Sequence, residues 1–175
     1  MEFRKIYDEH VAFVWRSLRR LGVPESAVKD VVQDVFLVVH RRLQDFEPRA
    51  KVTTWLFRIC LHAARDHRRK AHVRREILDD DDLSSAADDS PMVEEALERR
   101  DDLALFERAM ARVPMNQRAV FILFELESMT GEQIAESLEI PVGTVHSRLR
   151  LARDSFRRAV SIERARQRPR AGSAS

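Results

Sequence analysis

The amino-acid sequence predicts an all-α fold of two small helical domains joined by a flexible acidic linker. Apolar residues recur at intervals of three and four along most of the chain, which is the spacing that buries one face of a helix. Only 4 glycines and 6 prolines occur in 175 residues, so the turns that a β-rich fold requires are scarce. A stretch of aspartates and small residues separates the two helical halves. We therefore predict domains at 1–76 and 92–162, an acidic linker at 77–91 and a basic flexible tail at 163–175.

Three helices are predicted for the N-terminal domain. The first covers about Phe3 to Leu21 and ends at Gly22. Pro24 suits the first turn of a second helix, which extends to about Gln44. Polar residues return every three or four positions in the second helix, which argues against a strand despite its many valines. The predicted buried faces comprise Ile6, Val11, Val14, Trp15 and Leu18 in the first helix and Val28, Val31, Val32, Val35, Phe36, Val39 and Leu43 in the second.

The third predicted helix follows a polar connection over Phe46 to Thr54 and is capped by Thr53 or Thr54. Its C-terminal part is densely basic. One or two basic residues are enough to complement the negative end of a helix dipole, so the excess indicates an anionic partner. The inward residues are Trp55, Leu56, Ile59, Cys60 and Ala63, and the basic cluster comprises Arg65, His67, Arg68, Arg69, Lys70, Arg74 and Arg75.

The domain boundary is placed at Asp79 to Pro91, because this stretch has the composition of a disordered tether. Ser90 and Pro91 suit the cap and first turn of a fourth helix. Pro114 ends that helix, and Asn116 is predicted to cap a fifth. The apolar positions are Val93, Leu97, Leu105, Phe106, Ala109, Met110 and Val113 in the fourth helix and Val120, Phe121, Leu123, Phe124 and Leu126 in the fifth.

The segment from Thr130 to Val160 predicts two further helices joined by a tight turn. Thr130 and Gln133 form a capping box that opens the first of these helices. Pro141 prevents its continuation, and the second helix begins at about Val142 and frays after about residue 162. Val145, Leu149, Ala152 and Phe156 are predicted to face inward, whereas Thr144, His146, Ser147, Arg148, Arg150 and Arg153 face solvent.

Such a helix pair has the layout of a helix-turn-helix, which places its second helix in the major groove of DNA. Arginine suits the O6 and N7 acceptors of guanine, and serine and threonine suit phosphates or base edges. A basic face alone is equally typical of a solvated surface helix. The capped helix and the proline-containing turn favour DNA binding, so the predicted C-terminal domain is a helix-turn-helix.

The charge distribution indicates two separate contacts with nucleic acid. The formal net charge is only +2, but basic residues cluster at 65–75 and 148–170, with an acidic segment between them. No apolar run approaches the roughly 20 residues that span a bilayer, and no signal-peptide pattern occurs, so a cytoplasmic protein without membrane insertion is expected. The single cysteine, Cys60, excludes an internal disulfide and is expected to be a buried, inert thiol.

Three motifs occur in order along the chain: Asp30-Val-Val-Gln33-Asp34-Val-Phe36, Trp55-Leu56-x-x-Ile59 and Pro141-Val-Gly143-Thr144-Val145-His146-Ser147-Arg148-Leu149. Together they resemble the signatures of the bacterial RNA polymerase sigma factors of the extracytoplasmic-function (ECF) type. The resemblance implies a sigma factor that directs core RNA polymerase to specific promoters, recognises minus-35 and minus-10 elements and nucleates promoter melting. It implies no enzyme activity, no catalytic residue, and no cofactor or metal.

The resemblance also implies partners and residue roles. The clamp helices and flap of core RNA polymerase and an anti-sigma factor are the implied protein partners, and promoter DNA is the nucleic acid. The connection after Phe46 accepts a flipped base in the family, and Phe46 and Trp55 could stack on it. The implied polymerase-binding residues are Asp30, Gln33, Asp34, Phe36 and Leu37. The implied minus-10 residues are Phe46, Arg58, His62, Arg65, Asp66 and Arg69, and the implied minus-35 residues are Thr144, His146, Ser147, Arg148, Arg150 and Arg153.

The sequence departs from the family pattern at two positions. His62 stands where an asparagine is usual, and an imidazole cannot form the bidentate hydrogen bonds of an amide. Glu139 stands in the turn where glycine is common, which restricts the backbone if that residue adopts a positive φ. The first departure bears on the minus-10 sequence that is preferred.

Two other functions are compatible with parts of the sequence. A helix-turn-helix regulator that acts as a dimer, without being a polymerase subunit, would use the same C-terminal helices on a palindromic operator. A metal-dependent nuclease could be built on His62, Asp66 and His67 or on Asp79 to Asp82. Arginines at 65, 68 and 69 would repel its cation, which disfavours the nuclease.

Overall fold

The computed structural model describes residues 2–46, 51–78 and 94–167, and within these ranges it contains helices and connecting turns but no strand. The predicted all-α class is therefore confirmed. The chain divides into two compact units, unit 1 at residues 1–98 and unit 2 at residues 99–175. None of the helices in the described ranges is long and apolar enough to cross a membrane.

Unit 1 is a bundle of three helices, α1 (Phe3–Arg20), α2 (Glu25–Arg42) and α3 (Val52–Leu78). Each of the three helices packs against the other two. The predicted apolar stripes meet in one core, so the periodicity identified both the helices and their inner faces. Fully buried side chains in this core include Val14, Leu18, Val28, Val35, Val39, Leu56, Phe57 and Cys60.

The connection between α1 and α2 depends on Gly22. Its φ of 94° lies in the left-handed region that glycine adopts without steric cost. The backbone N–H of Gly22 donates to the carbonyl of Arg19, and that of Val23 donates to the carbonyl of Leu18. Pro24 occupies the N-cap of α2 rather than its first turn, so the predicted boundary was one residue early.

Trp15 is 39% exposed, although the sequence placed it on the buried face of α1. The buried face contains Val14 and Leu18, and Trp15 follows Val14 directly. Successive helical residues are rotated by about 100°, so Trp15 lies at the margin of that face. Val11 is likewise only half-buried.

The ends of α2 and α3 also differ from prediction. The α-helix ends at Arg42 and continues as one 3₁₀ turn, Leu43–Asp45. Helix α3 begins at Val52, with the N–H groups of Thr54 and Trp55 both donating to the carbonyl of Lys51. Thr53 and Thr54 thus lie inside the first turn and do not cap it. Residues 47–50 of the predicted base-accepting connection lie outside the described residues.

Helix α4 (Glu94–Arg112) begins before the boundary and belongs to unit 2 from residue 99 onward. The unit also contains α5 (Met115–Phe121), a π-helical turn (Ile122–Leu126), α6 (Gly131–Leu138) and α7 (Val142–Gln167). Helix α7 packs on α5 and on α6. The predicted cap at Ser90 and Pro91, and residues 79–91 of the predicted linker, lie outside the described residues. The core of unit 2 is formed by Ala109, Met110, Val120, Ile122, Leu123, Ile134, Val145 and Ala152.

Pro114 both ends α4 and begins α5. It is the N-cap of α5, and its carbonyl accepts hydrogen bonds from the N–H groups of Gln117 and Arg118 at 3.0 and 2.8 Å. Asn116, the predicted cap, lies inside the helix, where its side-chain oxygen accepts from the N–H of Gln117. The prediction of the cap was wrong because an extended proline can start a helix without a capping side chain.

Arg118 secures this junction from inside the unit. It is only 3% exposed. Its Nε donates to the carbonyl oxygen of Val113 at 3.2 Å, and a terminal nitrogen donates to the same oxygen at 2.8 Å and to that of Ala111 at 2.7 Å. These carbonyls belong to the last turn of α4 and the residue that follows it, so the cation also complements the negative end of the helix dipole.

Helix α7 extends beyond its predicted end, because residues 163–167 of the predicted tail are helical. The carboxylate of Glu163 is buried and accepts a hydrogen bond from Nε of Arg112 at 2.7 Å, with Nε of Arg108 at 3.4 Å. These ion pairs hold the last turns of α7 to α4. The sequence had predicted that the chain frays after about residue 162, because the tail is basic and ends in proline, glycine and serine.

The Arg118 contacts lead to a stability prediction. Arg118→Ala should lower the free energy of unfolding of unit 2 by about 3 kcal/mol, because buried carbonyls lose charged donors. Arg157→Ala is the matched control, since Arg157 pairs with Asp154 and its side chain is 76% exposed. It should change stability by less than about 0.5 kcal/mol. Urea unfolding followed by circular dichroism measures both, and equal losses would contradict the assigned role.

Candidate nucleic-acid interface

Helix α6 begins with the predicted capping box. The N–H of Gln133 donates to Oγ1 of Thr130 at 3.3 Å, and the N–H of Thr130 donates to Oε1 of Gln133 at 3.0 Å. Two backbone N–H groups at the start of the helix, those of Thr130 and Gln133, are therefore satisfied by side chains. The prediction for this element is confirmed.

The turn between α6 and α7 depends on a strained residue. Glu139 adopts φ 55° and ψ 46°, in the left-handed region. The next N–H, of Ile140, returns to the carbonyl of Ala135 at 3.0 Å, and Pro141 then accepts from the N–H groups of Thr144 and Val145. The departure noted in the sequence therefore falls on a position with positive φ, where a side chain costs about 1 kcal/mol.

Helix α7 buries one face and exposes another. Val145, Leu149 and Ala152 are buried, as predicted. His146, Ser147, Arg150 and Arg153 are exposed, whereas Thr144 and Arg148 are half-buried. Ser147 donates its hydroxyl hydrogen to the carbonyl of Thr144 at 3.0 Å, which leaves its oxygen as an acceptor on the outer face.

His146 of α7 lies next to Gly131, the first residue of α6. A Cβ on the buried Gly131 would lie 3.2 Å from Cε1 of His146, so glycine permits the close approach. The pKa of the neighbouring Glu132 carboxyl is lowered, first by its own backbone N–H, then by the Thr130 hydroxyl, with a smaller contribution from His146. His146 therefore lies beside the first turn of α6 while remaining exposed, as predicted.

Arg153 also has partners within unit 2. Its Nε and a terminal nitrogen lie 2.7 and 2.6 Å from Oε1 of Glu125, and its guanidinium carbon lies 5.4 Å from the centre of the Phe124 ring. The sequence predicted a solvated side chain on the DNA-facing surface. No local pattern could have indicated Glu125, because the pair is separated by 28 residues.

Helix α3 carries an exposed basic stripe, which we define as Arg58, His62, Arg65 and Arg69. The spacings of four, three and four residues place these side chains on one helical face. His62, Arg65 and Arg69 are exposed and Arg58 is half-buried. Asp66 adjoins the stripe, and its carboxylate accepts a hydrogen bond from Arg69 at 3.2 Å. The opposite face of α3 is buried in the core through Leu56, Phe57, Cys60 and Ala64.

An aromatic pair precedes the stripe. The rings of Phe46 and Trp55 are 5.1 Å apart at 57°, and both residues are half-buried. Trp55 is therefore neither wholly in the core nor free in solvent. One turn of helix separates it from Arg58, so aromatic surface and positive charge adjoin.

The outer face of α2 is acidic and apolar. Asp30, Gln33 and Asp34 are exposed, and Leu37 is 55% exposed. Phe36 is only 4% exposed, which confirms its predicted place on the buried face of the helix and leaves little of it for the surface contact that the resemblance implied. Its ring lies 4.6 Å from the ring of Tyr7, so packing against α1 removes it from the surface.

Cys60 is buried, as predicted, and its burial raises the pKa of the thiol to about 12, so it stays protonated and unreactive near neutral pH.

In the ranges 2–46, 51–78 and 94–167, no three His, Cys, Asp or Glu side chains lie close enough to hold a metal ion. The aspartates at 79–82, considered as a nuclease site, lie outside the described residues.

Comparison with known families matches both units. Residues 6–74 match Sigma-70 region 2, and residues 103–155 match Sigma-70, region 4. Among similar proteins, RNA polymerase sigma factor NccH of Alcaligenes xylosoxydans xylosoxydans is 32% identical over 153 residues, which cover 86% of this chain and 82% of NccH. ECF RNA polymerase sigma factor RpoE of Cereibacter sphaeroides is 30% identical over 160 residues, which cover 91% and 86% of the two chains.

Solved structures agree with this assignment. The sigma factor RpoE of Bartonella quintana, in complex with the anti-sigma factor NepR, superposes with a TM-score of 0.74 at 22% identity over 91% of this chain and 97% of that chain. That likeness concerns the fold. CnrH, in complex with the cytosolic domain of CnrY, superposes with a TM-score of 0.64 at 25% identity over 91% of this chain and 88% of that chain.

The chain belongs to the sigma-70 family of RNA polymerase sigma factors. Within that family it is an ECF sigma factor, a subunit that binds core RNA polymerase and promoter DNA and directs initiation to specific promoters. The prediction from the three motifs is confirmed, and the alternative of a dimeric regulator is not favoured. Members of the family act as specificity subunits and are not generally enzymes.

The strained turn leads to a second prediction. Glu139→Gly should raise the free energy of unfolding of unit 2 by about 0.5–1 kcal/mol, because glycine adopts the positive φ without a Cβ clash. Glu136→Gly is the control, since Glu136 is exposed within α6. It should lower stability by about 1 kcal/mol. Thermal unfolding distinguishes the two, and destabilisation by both would show that φ 55° carries no strain.

Proposed function

We propose that this sigma factor divides promoter recognition between its two units: unit 1 binds the minus-10 element and unit 2 binds the minus-35 element. The basic stripe on α3 supports this division most directly. Arg58, His62, Arg65 and Arg69 share one face, opposite a face buried in the core, so the stripe is held outward by the fold. A DNA strand following α3 meets these positive charges in succession.

Melting of the minus-10 element requires a surface that favours single-stranded over double-stranded DNA. Exposed bases gain stability by stacking on aromatic rings, and the separated phosphates gain it from arginine. The Phe46–Trp55 pair and the adjoining stripe supply both groups. His62 offers one donor or acceptor at each ring nitrogen, so it reads a base edge through single hydrogen bonds. Asp66 fixes the direction of Arg69 by their ion pair.

The minus-35 element is read by the N-terminal half of α7. Arg148 is half-buried, so its side chain has less conformational freedom than that of a fully exposed arginine. It is our choice for a contact with a DNA base. His146, Ser147 and Arg150 lie on the exposed side of the same turns, and Thr144 lies at the helix start, where backbone N–H groups also attract phosphate.

Core polymerase is bound by α2. Asp30, Gln33 and Asp34 offer acceptors to a basic partner helix, and Leu37 offers an apolar anchor one turn after Asp34. Phe36 supports this surface from below by packing on Tyr7, which is itself 41% exposed. Tyr7 was not predicted and extends the apolar part of the surface.

An anti-sigma factor is a further proposed partner. The solved RpoE of Bartonella quintana and the solved CnrH are both in complexes, with the anti-sigma factor NepR and with the cytosolic domain of CnrY respectively. This chain shares their fold, so we infer that an anti-sigma factor covers the polymerase-binding and DNA-binding surfaces. The proposal places the protein in the cytoplasm and requires no cofactor, metal or catalytic residue. The flap of core polymerase is proposed as a second polymerase contact, in addition to the contact of the clamp helices with α2.

Promoter reading by Arg148 is testable once start sites have been mapped by genome-wide run-off transcription with core polymerase and the purified chain. Arg148→Ala in the reconstituted holoenzyme should weaken binding to a mapped promoter by about 1–3 kcal/mol and weaken binding to unrelated DNA by less. Arg157→Ala is the control for an exposed arginine farther along α7. Equal losses on both DNAs at one salt concentration would contradict a base contact.

Polymerase binding by α2 is testable without DNA. Leu37→Asp should weaken the binding of core polymerase at least about 10-fold, because it replaces the apolar anchor of the proposed surface by a charge. Val73→Asp is the matched control, since Val73 is 48% exposed on α3. Fluorescence titration measures both affinities. Similar affinities for the two variants would exclude Leu37 from the interface, and an unchanged α-helical spectrum checks folding.

A further inference from the structure

We propose that Glu125 positions the recognition helix by holding Arg153 within unit 2, so that Arg153 fastens α7 and does not bind a DNA phosphate. The inference rests on the proposed reading of the minus-35 element by α7. It changes the role predicted for Arg153 and assigns one to a residue of the π-helical turn.

The contacts of Arg153 come from a single turn. Glu125 accepts from Nε at 2.7 Å and lies 2.6 Å from a terminal nitrogen, while Phe124 lies under the guanidinium at 5.4 Å. A charge-assisted hydrogen bond from Nε, a close ion pair at a terminal nitrogen and a cation–π contact together restrict both the edge and the face of the planar guanidinium. The Glu125 side chain is 33% exposed and that of Arg153 is 47% exposed, so the pair lies at the margin of the core.

The π-helical turn presents both partners. Ile122 and Leu123 are buried, and the N–H of Glu127 returns to the carbonyl of Ile122 at 3.1 Å in the i to i+5 pattern of a π turn. The extra residue in such a turn rotates the following side chains relative to an α-helix, and π turns are frequent at functional sites. Phe124 and Glu125 thereby face α7 while their neighbours remain in the core.

Neighbouring residues on α7 provide a comparison. His146, Arg150, Arg153 and Arg157 are spaced by four, three and four residues and share one helical face. Arg150 is exposed on that face, one turn before Arg153. To reach a phosphate, Arg153 must break its bonds to Glu125 and leave a carboxylate beside the DNA backbone, where like charges repel. A fixed pair is therefore favoured over a phosphate contact.

Glu125 also affects selectivity. While Glu125 binds Arg153, one cation is withheld from the DNA phosphates. A contact between a cation and a phosphate strengthens binding to any DNA sequence equally. Removing its charge releases that cation and loosens α7. Binding to unrelated DNA should then rise and discrimination between promoter and unrelated DNA should fall. A purely structural Glu125 would affect both DNAs in the same direction.

The test measures the affinity of reconstituted holoenzyme for promoter and unrelated DNA over a series of salt concentrations. Arg153→Ala should lower promoter affinity about 5-fold without changing the salt slope, whereas Arg150→Ala should make the slope shallower by about 1. Glu125→Gln should make the slope steeper by about 1, raise affinity for unrelated DNA and lower discrimination. The double variant Glu125→Gln with Arg153→Ala should match Arg153→Ala alone in salt slope and in unfolding midpoint.

Two results would overturn the inference: a slope that becomes shallower by about 1 in Arg153→Ala, or equal losses on both DNAs in Glu125→Gln. The first would make Arg153 a phosphate contact, and the second would make Glu125 purely structural. Failure of the proposed function gives a different result. If α7 does not read the minus-35 element, Arg150→Ala and Arg148→Ala would leave promoter affinity and salt slope unchanged. The proposed minus-35 reading and the proposed role of Glu125 would then both be contradicted.

Discussion

Burial of one apolar face on α3 and one on α7 fixes the rotation of each helix about its axis. In α3 this face includes Leu56, Phe57 and Cys60, and in α7 it includes Val145, Leu149 and Ala152. A rotation of one residue, about 100°, would remove these side chains from the core and lose several kcal/mol of apolar burial. The core therefore sets the direction in which the polar side chains on the opposite faces project. This constraint underlies both proposed DNA-binding surfaces.

Within unit 2, charged side chains with specific partners add to the constraint that apolar packing sets. Arg118 joins α5 to the end of α4, Glu163 joins the last turns of α7 to α4, and Arg153 joins the middle of α7 to the π-helical turn. Such groups are costly to bury alone and strongly directional when paired. The pairs of Glu163 and Arg153 restrict the position of α7 along its axis, which apolar contacts by themselves restrict weakly. A recognition helix needs this precision, since a shift of one ångström alters hydrogen bonds to bases.

The interface residues differ in how they are held. Asp30, Gln33, Asp34 and Leu37 project from a helix whose other face is buried, so they require no further support. The junction of α6 and α7 is supported by specific local features: the glycine at 131 that admits His146, and the left-handed Glu139. Small units bury a limited fraction of their surface, so each such contact is a larger share of their stability. Docking on polymerase adds to that stability by mass action.

By itself, the sequence determined the all-helical class, the apolar faces, the capping box at Thr130 and the family. These depend on residue spacing and on interactions across a few positions, which can be read along a chain. Only the tertiary structure decided that Phe36 packs against Tyr7, that Trp15 is exposed, that Pro114 rather than Asn116 caps α5, and that Arg153 pairs with Glu125. Burial at the margin of a helical face depends on which neighbour packs there. Likewise, the partner of an ion pair 28 residues away is chosen by the path of the chain in space.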